Sequence, residues 1–285
     1  MPTMLSLPAP AKLNLFLHIT GRRDDGYHNL QTCFQLLDYG DHLEFELLNS
    51  TTLNFESNLT TVLLAENLVV KAATLLQQAS QVSAGANIKL TKVLPLGAGL
   101  GGGSSDAATT LLALNELWNC GLDINELAEL GLTLGADVPV FIRGHSAWAE
   151  GIGEKLKAVT LPERWYLVIT PDCRVSTAEI FCHQQLTRNS SAITIPAFPF
   201  SGDFTDCRND CQAVAVKLYP EIGAALNWLN DYAPARMTGT GSSIFAGFSS
   251  RAAAEQVLAD LPTELTGFIA KGINKSPVLQ ALGFD

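Results

Sequence analysis

Apolar and polar residues alternate over residues 11–20 (AKLNLFLHIT), close to the start of the chain. Because successive side chains of a strand point to opposite faces, this alternation predicts a β-strand. The two faces carry Leu13, Leu15, Leu17 and Ile19 on one side and Lys12, Asn14, Phe16 and His18 on the other. The predicted strand therefore places a lysine and an asparagine side by side on one face.

The same patterns predict the remaining elements of an α+β fold. Strands are predicted at 32–38, 43–47, 88–93, 140–142, 165–170 and 244–248. Helices are predicted at 66–79, 107–118, 124–134, 211–218, 221–232 and 252–261. Residues 187–203 have no period and are rich in serine and proline, which predicts a mobile surface loop. Strands and helices mix without the strict alternation of a parallel sheet.

Length and composition favour a two-domain globular protein. The chain has 285 residues, 47% hydrophobic and 16% charged, and this length suits two packed domains, predicted at 1–155 and 156–285 with a cleft between them. The formal charge is −10 and no basic run exceeds Arg22-Arg23, which disfavours nucleic-acid binding. No uncharged stretch reaches the ~18–20 residues that span a bilayer. Six cysteines without a Cys-x-x-Cys pair favour reduced thiols in a cytoplasmic protein.

The strongest chemical signal is a glycine-rich segment at residues 95–106, PLGAGLGGGSSD, between a predicted strand and a predicted helix. Five glycines remove the Cβ atoms that would keep an anion away from the backbone. Successive N–H groups and the positive end of the following helix can then hold a polyphosphate. Ser104, Ser105 or Asp106 is expected to cap that helix. A plain flexible turn is the alternative, but a tight turn needs only one or two glycines.

Three common phosphate loops fit this segment poorly. Gly97, Gly99 and Gly102 satisfy G-x-G-x-x-G, but Asp123 follows a helix, whereas a dinucleotide-binding fold needs an acidic residue at a strand end. Gly103-Ser104-Ser105 lacks the lysine of a P-loop. The His-Arg-Asp and Asp-Phe-Gly triplets of protein kinases do not occur in the sequence.

Three motifs in order along the chain resemble the signatures of the GHMP kinase superfamily. They are Pro10–Leu15 (PAKLNL), Pro95–Ser104 (PLGAGLGGGS) and Met237–Phe245 (MTGTGSSIF). The resemblance implies a two-domain α+β kinase that uses ATP and Mg²⁺, with its active site in the interdomain cleft. It implies phosphate contacts from Pro95, Gly97, Gly99, Leu100, Gly101, Gly102, Gly103, Ser104 and Ser105.

Residues 21–32 (GRRDDGYHNLQT), 135–141 (GADVPVF) and 149–154 (AEGIGE) narrow the resemblance. They are similar to the non-mevalonate isoprenoid branch of the superfamily, whose small-molecule substrate is a methylerythritol carrying a cytidine diphosphate group. Two departures stand out. Ala98 occupies a position that is often glycine, and residues 187–205 match no motif.

The resemblance also implies roles for individual residues. Lys12 would lie near the transferred phosphoryl group, and Asp137 would pair with it and accept the proton of the acceptor hydroxyl. Tyr27 would stack on the cytosine ring and His28 would bind the edge of that ring. Further substrate contacts are expected from Asn14, Phe181, Thr240 and Gly241. Asn67 and Lys92 are expected near adenosine, and Ser104 is the candidate ligand for Mg²⁺, which has no carboxylate cage in the sequence.

Other interpretations stay open at this point. The chain could be a GHMP kinase for a mevalonate-type or sugar substrate, which competition by cytidine nucleotides would distinguish. It could also be a non-catalytic nucleotide-binding regulator on the same scaffold, although such a protein would normally lose Lys12 or Asp137. A dinucleotide-dependent oxidoreductase rests on G-x-G-x-x-G alone. The sequence leaves the oligomeric state open.

Overall fold

The computed structural model describes residues 3–59, 63–194 and 207–284. Within these ranges the strands are β1 (Met4–Arg22), β2 (His28–Leu48), β3 (Leu53–Ser57), β4 (Gly85–Thr91), β5 (Ala147–Gly151), β6 (Lys155–Ala158), β7 (Trp165–Pro171), β8 (Ala235–Met237), β9 (Ile244–Phe248) and β10 (Leu265–Ile273). The helices are α1 (Leu68–Ser80), α2 (Gly102–Leu117), α3 (Ile124–Leu132), α4 (Val138–Arg143), α5 (Thr177–Cys182), α6 (Gln212–Leu218), α7 (Pro220–Asn230), α8 (Arg251–Ala259) and α9 (Pro277–Ala281), with a 3₁₀ turn at Leu64–Glu66.

The described strands join in one ten-stranded sheet, and the predicted α+β class is confirmed. The main path runs β3-β4-β2-β10-β7-β9-β8, and β1 and β5 also pair with β2. The pairing of β3 with β4 is parallel and the other pairings are antiparallel. Strand β10 bonds to β2 through only two residue pairs but to β7 through seven. It therefore links an N-terminal group of strands to a C-terminal group.

Two hydrophobic cores lie on this sheet, and a third joins them. The first core packs α1, α2 and α4 against β1, β2 and β4. The second packs α6 and α7 against β7 and β9. Strand β1 contributes to all three cores, and its residues 9–19 are buried on both faces. Lys12 and Asn14 are therefore interior residues. Because a buried polar side chain is costly without a hydrogen bond, both need polar partners.

One predicted element is wrong in type, and several were missed. Residues 140–142 were expected to form a strand but lie inside helix α4. A short apolar run cannot be distinguished by periodicity from a buried helix, and every residue of α4 before Arg143 is buried. The predicted strands at 32–38 and 43–47 are parts of the single strand β2. Strands β3, β5, β6, β8 and β10 and helices α5 and α9 had not been predicted.

Candidate active site

The three sequence motifs meet at one point, held by backbone hydrogen bonds. The Lys12 N–H donates to the Leu100 carbonyl at 3.0 Å, and the Ser243 N–H donates to the Ala98 carbonyl at 3.1 Å. The Asn14 N–H donates to Thr238 Oγ1 at 2.8 Å. Strand β1, the glycine-rich loop and the turn before β9 are therefore fixed to each other, although Asn14 and Thr238 are 224 residues apart in the sequence.

The Lys12 ammonium is the charged centre of this junction. Its Nζ donates to Asn14 Oδ1 at 2.6 Å and to the Gly99 carbonyl at 3.0 Å. It lies 3.2 Å from Asp137 Oδ2 and 5.4 Å from the centre of the Phe34 ring. The side chain is 3% exposed, whereas that of Asp137 is 34% exposed. The lysine is thus buried and compensated by a carboxylate that remains open to a ligand.

The position of Asp137 follows from the turn between α3 and α4. Asp137 is the N-cap residue of α4, but its backbone is in the helical region and its carboxylate accepts no bond from the N–H groups of that helix in the described structure. The carboxylate points to Lys12 instead. The expected Lys12–Asp137 pair is therefore present, in front of a helix where a strand was expected.

The glycine-rich loop runs into helix α2 through residues with positive φ. Gly97, Gly99 and Gly101 have φ of 63°, 76° and 73°, a region that side chains other than glycine disfavour. A Cβ on Gly99 would lie 2.2 Å from the Thr238 carbonyl oxygen. Glycine is required there because the loop and the turn before β9 touch directly.

The start of α2 corrects the predicted cap. The helix begins at Gly102, and its N-cap is Gly101 with no side-chain capping bond in the described structure. Ser104, Ser105 and Asp106 therefore lie inside the first turns and do not cap the helix. Because the first N–H groups of a helix have no intrahelical acceptors, this uncapped end is suited to an anion.

A cluster of buried charged side chains packs against the glycine-rich loop at Gly102. Lys92 Nζ lies 2.5 Å from Asp41 Oδ2 and 2.6 Å from Asp106 Oδ2. A Cβ on Gly102 would lie 2.9 Å from the same Nζ. Burial raises the pKa of Asp106 to about 7, against the lowering effect of Lys92. No sequence pattern indicated Asp41, which lies 51 residues before Lys92.

A cavity of about 320 Å³ opens beside Lys12 and Asp137. Of the residues expected at the site, its lining includes Lys12, Asn14, Gly97, Gly99, Gly101, Ser104, Asp137, Phe181 and Thr240. Those outside its lining are Pro95, Leu100, Gly102, Gly103, Ser105, Tyr27, His28 and Gly241. Leu17, Leu30, Thr32, Ile152 and Thr177 also line it and had not been expected. Leu30, Thr32 and Ile152 lie in the motifs at 21–32 and 149–154, but aliphatic and hydroxyl side chains have no distinctive chemistry that would select them within those motifs.

Of the residues expected to bind the base, Phe181 lines this cavity, His28 contacts Phe181, and Tyr27 is exposed outside the lining. Tyr27 is 61% exposed and follows the Gly26 turn, whose φ is 89°. His28 is buried, and its ring stacks on Phe181 with 5.2 Å between centroids and 26° between planes. Burial lowers the pKa of His28, and the charges of Arg188 and Arg22 lower it further. His28 is therefore held as a neutral ring.

Two residues of the segment 187–203, which was expected to be a mobile loop, bond to His28 and to strand β1. Arg188 Nε donates to His28 Nε2 at 3.0 Å, and the Ser190 N–H donates to the Ile19 carbonyl at 3.0 Å. Ser190 is buried, but residues 187–194 form no helix or strand and half of them are exposed, so they are a surface loop that is attached to the body of the protein at Arg188 and Ser190. Residues 195–203 of that loop lie outside the described residues. Gly241 lies behind the cavity, where a Cβ would approach Met237 Sδ at 2.8 Å.

The described residues contain neither a cluster of metal-ligating side chains nor a membrane-spanning helix. Within them, no three His, Cys, Asp or Glu side chains converge on a common metal position. Likewise, no helix in the described ranges is long and apolar enough to cross a bilayer.

Asn67, expected near adenosine, caps α1 by accepting from the Val69 N–H at 2.9 Å.

Comparison with known proteins places the chain in a family. Residues 67–145 match the family model for the GHMP kinases N terminal domain, and residues 201–266 match that for GHMP kinases C terminal. The 4-diphosphocytidyl-2-C-methyl-D-erythritol kinase of Hahella chejuensis is 54% identical over 98% of this chain and 96% of its own length. The kinase of the same name from Shewanella piezotolerans is 53% identical over 99% of both chains.

A solved structure extends this similarity to three dimensions. The crystal structure of a 4-(cytidine 5'-diphospho)-2C-methyl-D-erythritol kinase superposes with a TM-score of 0.83 at 33% identity. The match covers 95% of this chain and 100% of that one. With the GHMP motifs joined around Lys12, this similarity shows that the chain belongs to the 4-diphosphocytidyl-2-C-methyl-D-erythritol kinase family of GHMP kinases.

Proposed function

We propose that this chain transfers the γ-phosphoryl group of ATP to the 2-hydroxyl of 4-diphosphocytidyl-2-C-methyl-D-erythritol, with Lys12 and Asp137 at the transfer centre. The observation that carries the proposal is the 3.2 Å ion pair between these side chains, at the wall of a cavity that also contacts the glycine-rich loop. The reaction takes place in the cleft between the halves 1–155 and 156–285. Lys12 and Asp137 belong to the first half, and Phe181 and Thr240 belong to the second.

Asp137 and Lys12 divide the chemical work. The exposed carboxylate of Asp137 orients the acceptor hydroxyl and takes its proton as the bond to phosphorus forms. The buried ammonium of Lys12 holds that carboxylate in place and stabilises the negative charge of the transferred phosphoryl group. Asn14 Oδ1 and the Gly99 carbonyl fix the position of the ammonium. This arrangement is pre-formed, so little reorganisation is needed at the moment of transfer.

The phosphates of ATP lie along the glycine-rich loop. The uncapped N-terminus of α2 and the positive-φ glycines of the loop support this position. Pro95, Leu100, Gly102, Gly103 and Ser105 shape the loop from outside the cavity. The candidate ligand for Mg²⁺, Ser104, lines the cavity beside the glycine-rich loop. One protein ligand is enough for this ion, because it commonly takes most of its ligands from phosphate and water. When bound, Mg²⁺ would neutralise phosphate charge.

The cytosine ring binds at the opposite edge of the cavity. Tyr27 is exposed next to His28 in the sequence, and Phe181 lines the cavity; aromatic rings of this kind stack on planar bases. His28 stacks on Phe181 and offers a hydrogen bond to the edge of the base. Thr240 and Gly241 belong to the turn that faces the reacting end of the substrate. Thr240 Oγ1 lies 3.0 Å from Thr177 Oγ1, which closes that end of the cavity.

The direct test is ADP release by purified protein with ATP, Mg²⁺ and 4-diphosphocytidyl-2-C-methyl-D-erythritol, followed by ³¹P NMR of the product. We expect one ADP per phosphorylated product, with the new phosphate on the 2-hydroxyl. Mevalonate and galactose serve as matched acceptors. Turnover with either of these, and none with the cytidine compound, would contradict the proposed substrate.

Competition by cytidine nucleotides tests the base pocket separately. CDP should raise the KM for the acceptor more than the KM for ATP, because only the acceptor uses the cytosine pocket. Tight ATP binding without turnover on any acceptor would contradict catalysis and indicate a regulatory protein.

A further inference from the structure

Arg188 connects the two walls of the proposed base pocket. Its Nε donates to His28 Nε2 at 3.0 Å, which joins the segment after α5 to the beginning of β2. One terminal nitrogen donates to the carbonyl oxygens of Phe181 at 2.8 Å and His183 at 3.0 Å, and the other donates to that of Leu186 at 3.2 Å. The guanidinium thus holds the end of α5 and the His28 ring in one arrangement.

These bonds decide which nitrogen of His28 carries the proton. A guanidinium has only donors, so Nε2 must accept, and the neutral ring then carries its hydrogen on Nδ1. The pKa of His28 is lowered by burial first and then by Arg188 and Arg22. Nδ1 has no hydrogen-bond partner in the described part of the chain and is not one of its fully buried unpaired atoms. It is therefore a donor available to a ligand.

We propose that Arg188 is a positioning residue that sets the selectivity of the pocket for cytosine over uracil, by holding His28 as a donor at Nδ1. Cytosine presents an unprotonated N3, which accepts such a bond, whereas uracil presents an N–H at the same place. A site built to donate rejects a ligand whose matching atom also donates, because both hydrogens are left unpaired. Arg188 does not need to touch the base for this effect. The proposal rests on the proposed function.

The test compares CDP and UDP binding by calorimetry in wild-type protein, Arg188→Met and Arg188→Lys. Methionine is unbranched and long but has no hydrogen-bond donor. Lysine keeps the positive charge, but its donors all sit on one ammonium nitrogen. We expect wild-type protein to prefer CDP, and Arg188→Met to lose about tenfold to a hundredfold in CDP affinity with little change for UDP. Arg188→Lys should recover part of the preference. The KM for ATP should stay the same in both variants.

A spectroscopic measurement separates positioning from simple loss of structure. ¹⁵N NMR of histidine-labelled wild-type protein should show His28 protonated at Nδ1 only, and Arg188→Met should show a mixture of the two neutral forms. The matched control is Arg251→Met on α8, where the guanidinium pairs with Glu255 at an exposed site. This control should leave CDP affinity and the His28 spectrum unchanged.

The possible failures can be distinguished. A wild-type His28 protonated at Nε2, or an Arg188→Met variant that keeps both the CDP preference and the Nδ1–H form, would overturn the role of Arg188 alone. Wild-type protein that does not distinguish CDP from UDP would overturn the proposed base pocket and this inference with it.

Discussion

At the scale of single residues, Asp106 shows how buried acidic groups are arranged beside the glycine-rich loop. Its carboxylate is buried, with Oδ2 bonded to Lys92 and Oδ1 among the buried atoms that lack a partner in the described structure. The second carboxylate, Asp41, shares the same lysine and also accepts from the N–H groups of Val93 and Leu94. Two acids around one ammonium leave one negative charge in excess, which burial penalises.

The excess negative charge in this buried cluster predicts that the free energy of unfolding depends on pH. Asp106→Asn should remove that dependence, because asparagine does not titrate. Burial raises the pKa of Asp106 to about 7 from an ordinary 3.8. Between these values the unfolded chain releases the proton while the folded protein keeps it, so raising the pH through this window lowers the free energy of unfolding. The stability of Asp106→Asn relative to wild type should therefore increase between about pH 5 and about pH 8 in urea titrations. An equal difference at both pH values would contradict the cluster as described.

Sequence motifs carry the residues whose roles stay a prediction, and the structure shows which of them lie together. Lys12 and Asn14 stand in one strand pattern and Asp137 in a second motif, and the structure brings Lys12 and Asp137 together. Arg188 could not be found in this way, because its partner His28 lies 160 residues earlier and the segment around it lacks periodicity. Contacts across such distances depend on topology, which local patterns do not specify.

At the scale of elements, the glycine-rich loop owes its shape to two different constraints. Gly97 and Gly99 both have positive φ, which costs other L-residues about 1–2 kcal/mol. A Cβ on Gly97 would meet no described atom within 4 Å, whereas one on Gly99 would lie 2.2 Å from the Thr238 carbonyl oxygen. Gly99 is thus constrained by contact as well as by conformation.

These glycines form a matched pair for measurement. Gly97→Ala should lower the free energy of unfolding by about 1–2 kcal/mol, the conformational cost alone. Gly99→Ala should lower it by about 2–5 kcal/mol, because the clash forces the loop away from the Thr238 turn. Denaturant unfolding of both variants measures the difference. Equal losses would show that the loop and the turn do not pack as described.

Element prediction failed mainly where burial is complete or the element is short. The run at 140–142 is apolar whether it is a strand or a helix, and its neighbours in α4 are equally buried. Helix α2 begins at Gly102, earlier than its apolar spacing suggests, because glycines start the helix and no described side chain caps it. The long periodic helix α1 lies close to its predicted bounds, and the short strand β9 matches them.

At the scale of the whole molecule, the C-terminal segment returns to the N-terminal core. Val278 and Leu279 of α9 are buried with side chains from α2, α4 and β1. The Ser276 N–H donates to the Gly144 carbonyl at 2.7 Å. The sequence predicted two consecutive halves and could not show this return, since residues 262–285 carry no strong pattern.

Leu279→Ala tests how far α9 stabilises the molecule. Its side chain packs over Gly144, where a Cβ would lie 2.5 Å from Leu279 Cδ1. We expect a loss of about 2–5 kcal/mol in unfolding free energy, from lost burial and the cavity left behind. Gln280→Ala, at the next and exposed position of the same helix, should change stability by less than about 0.5 kcal/mol. Similar effects of the two variants would contradict the packing of α9.

We propose that Asp137, paired with Lys12, carries out phosphoryl transfer in this cavity. The most direct measurement is the single-turnover rate of Asp137→Asn with ATP, Mg²⁺ and 4-diphosphocytidyl-2-C-methyl-D-erythritol at saturation, after calorimetry has verified that both substrates bind. We predict a rate about 10²–10⁴-fold below wild type with nearly unchanged affinities, since asparagine cannot take the proton. A transfer rate within a few-fold of wild type would contradict the account.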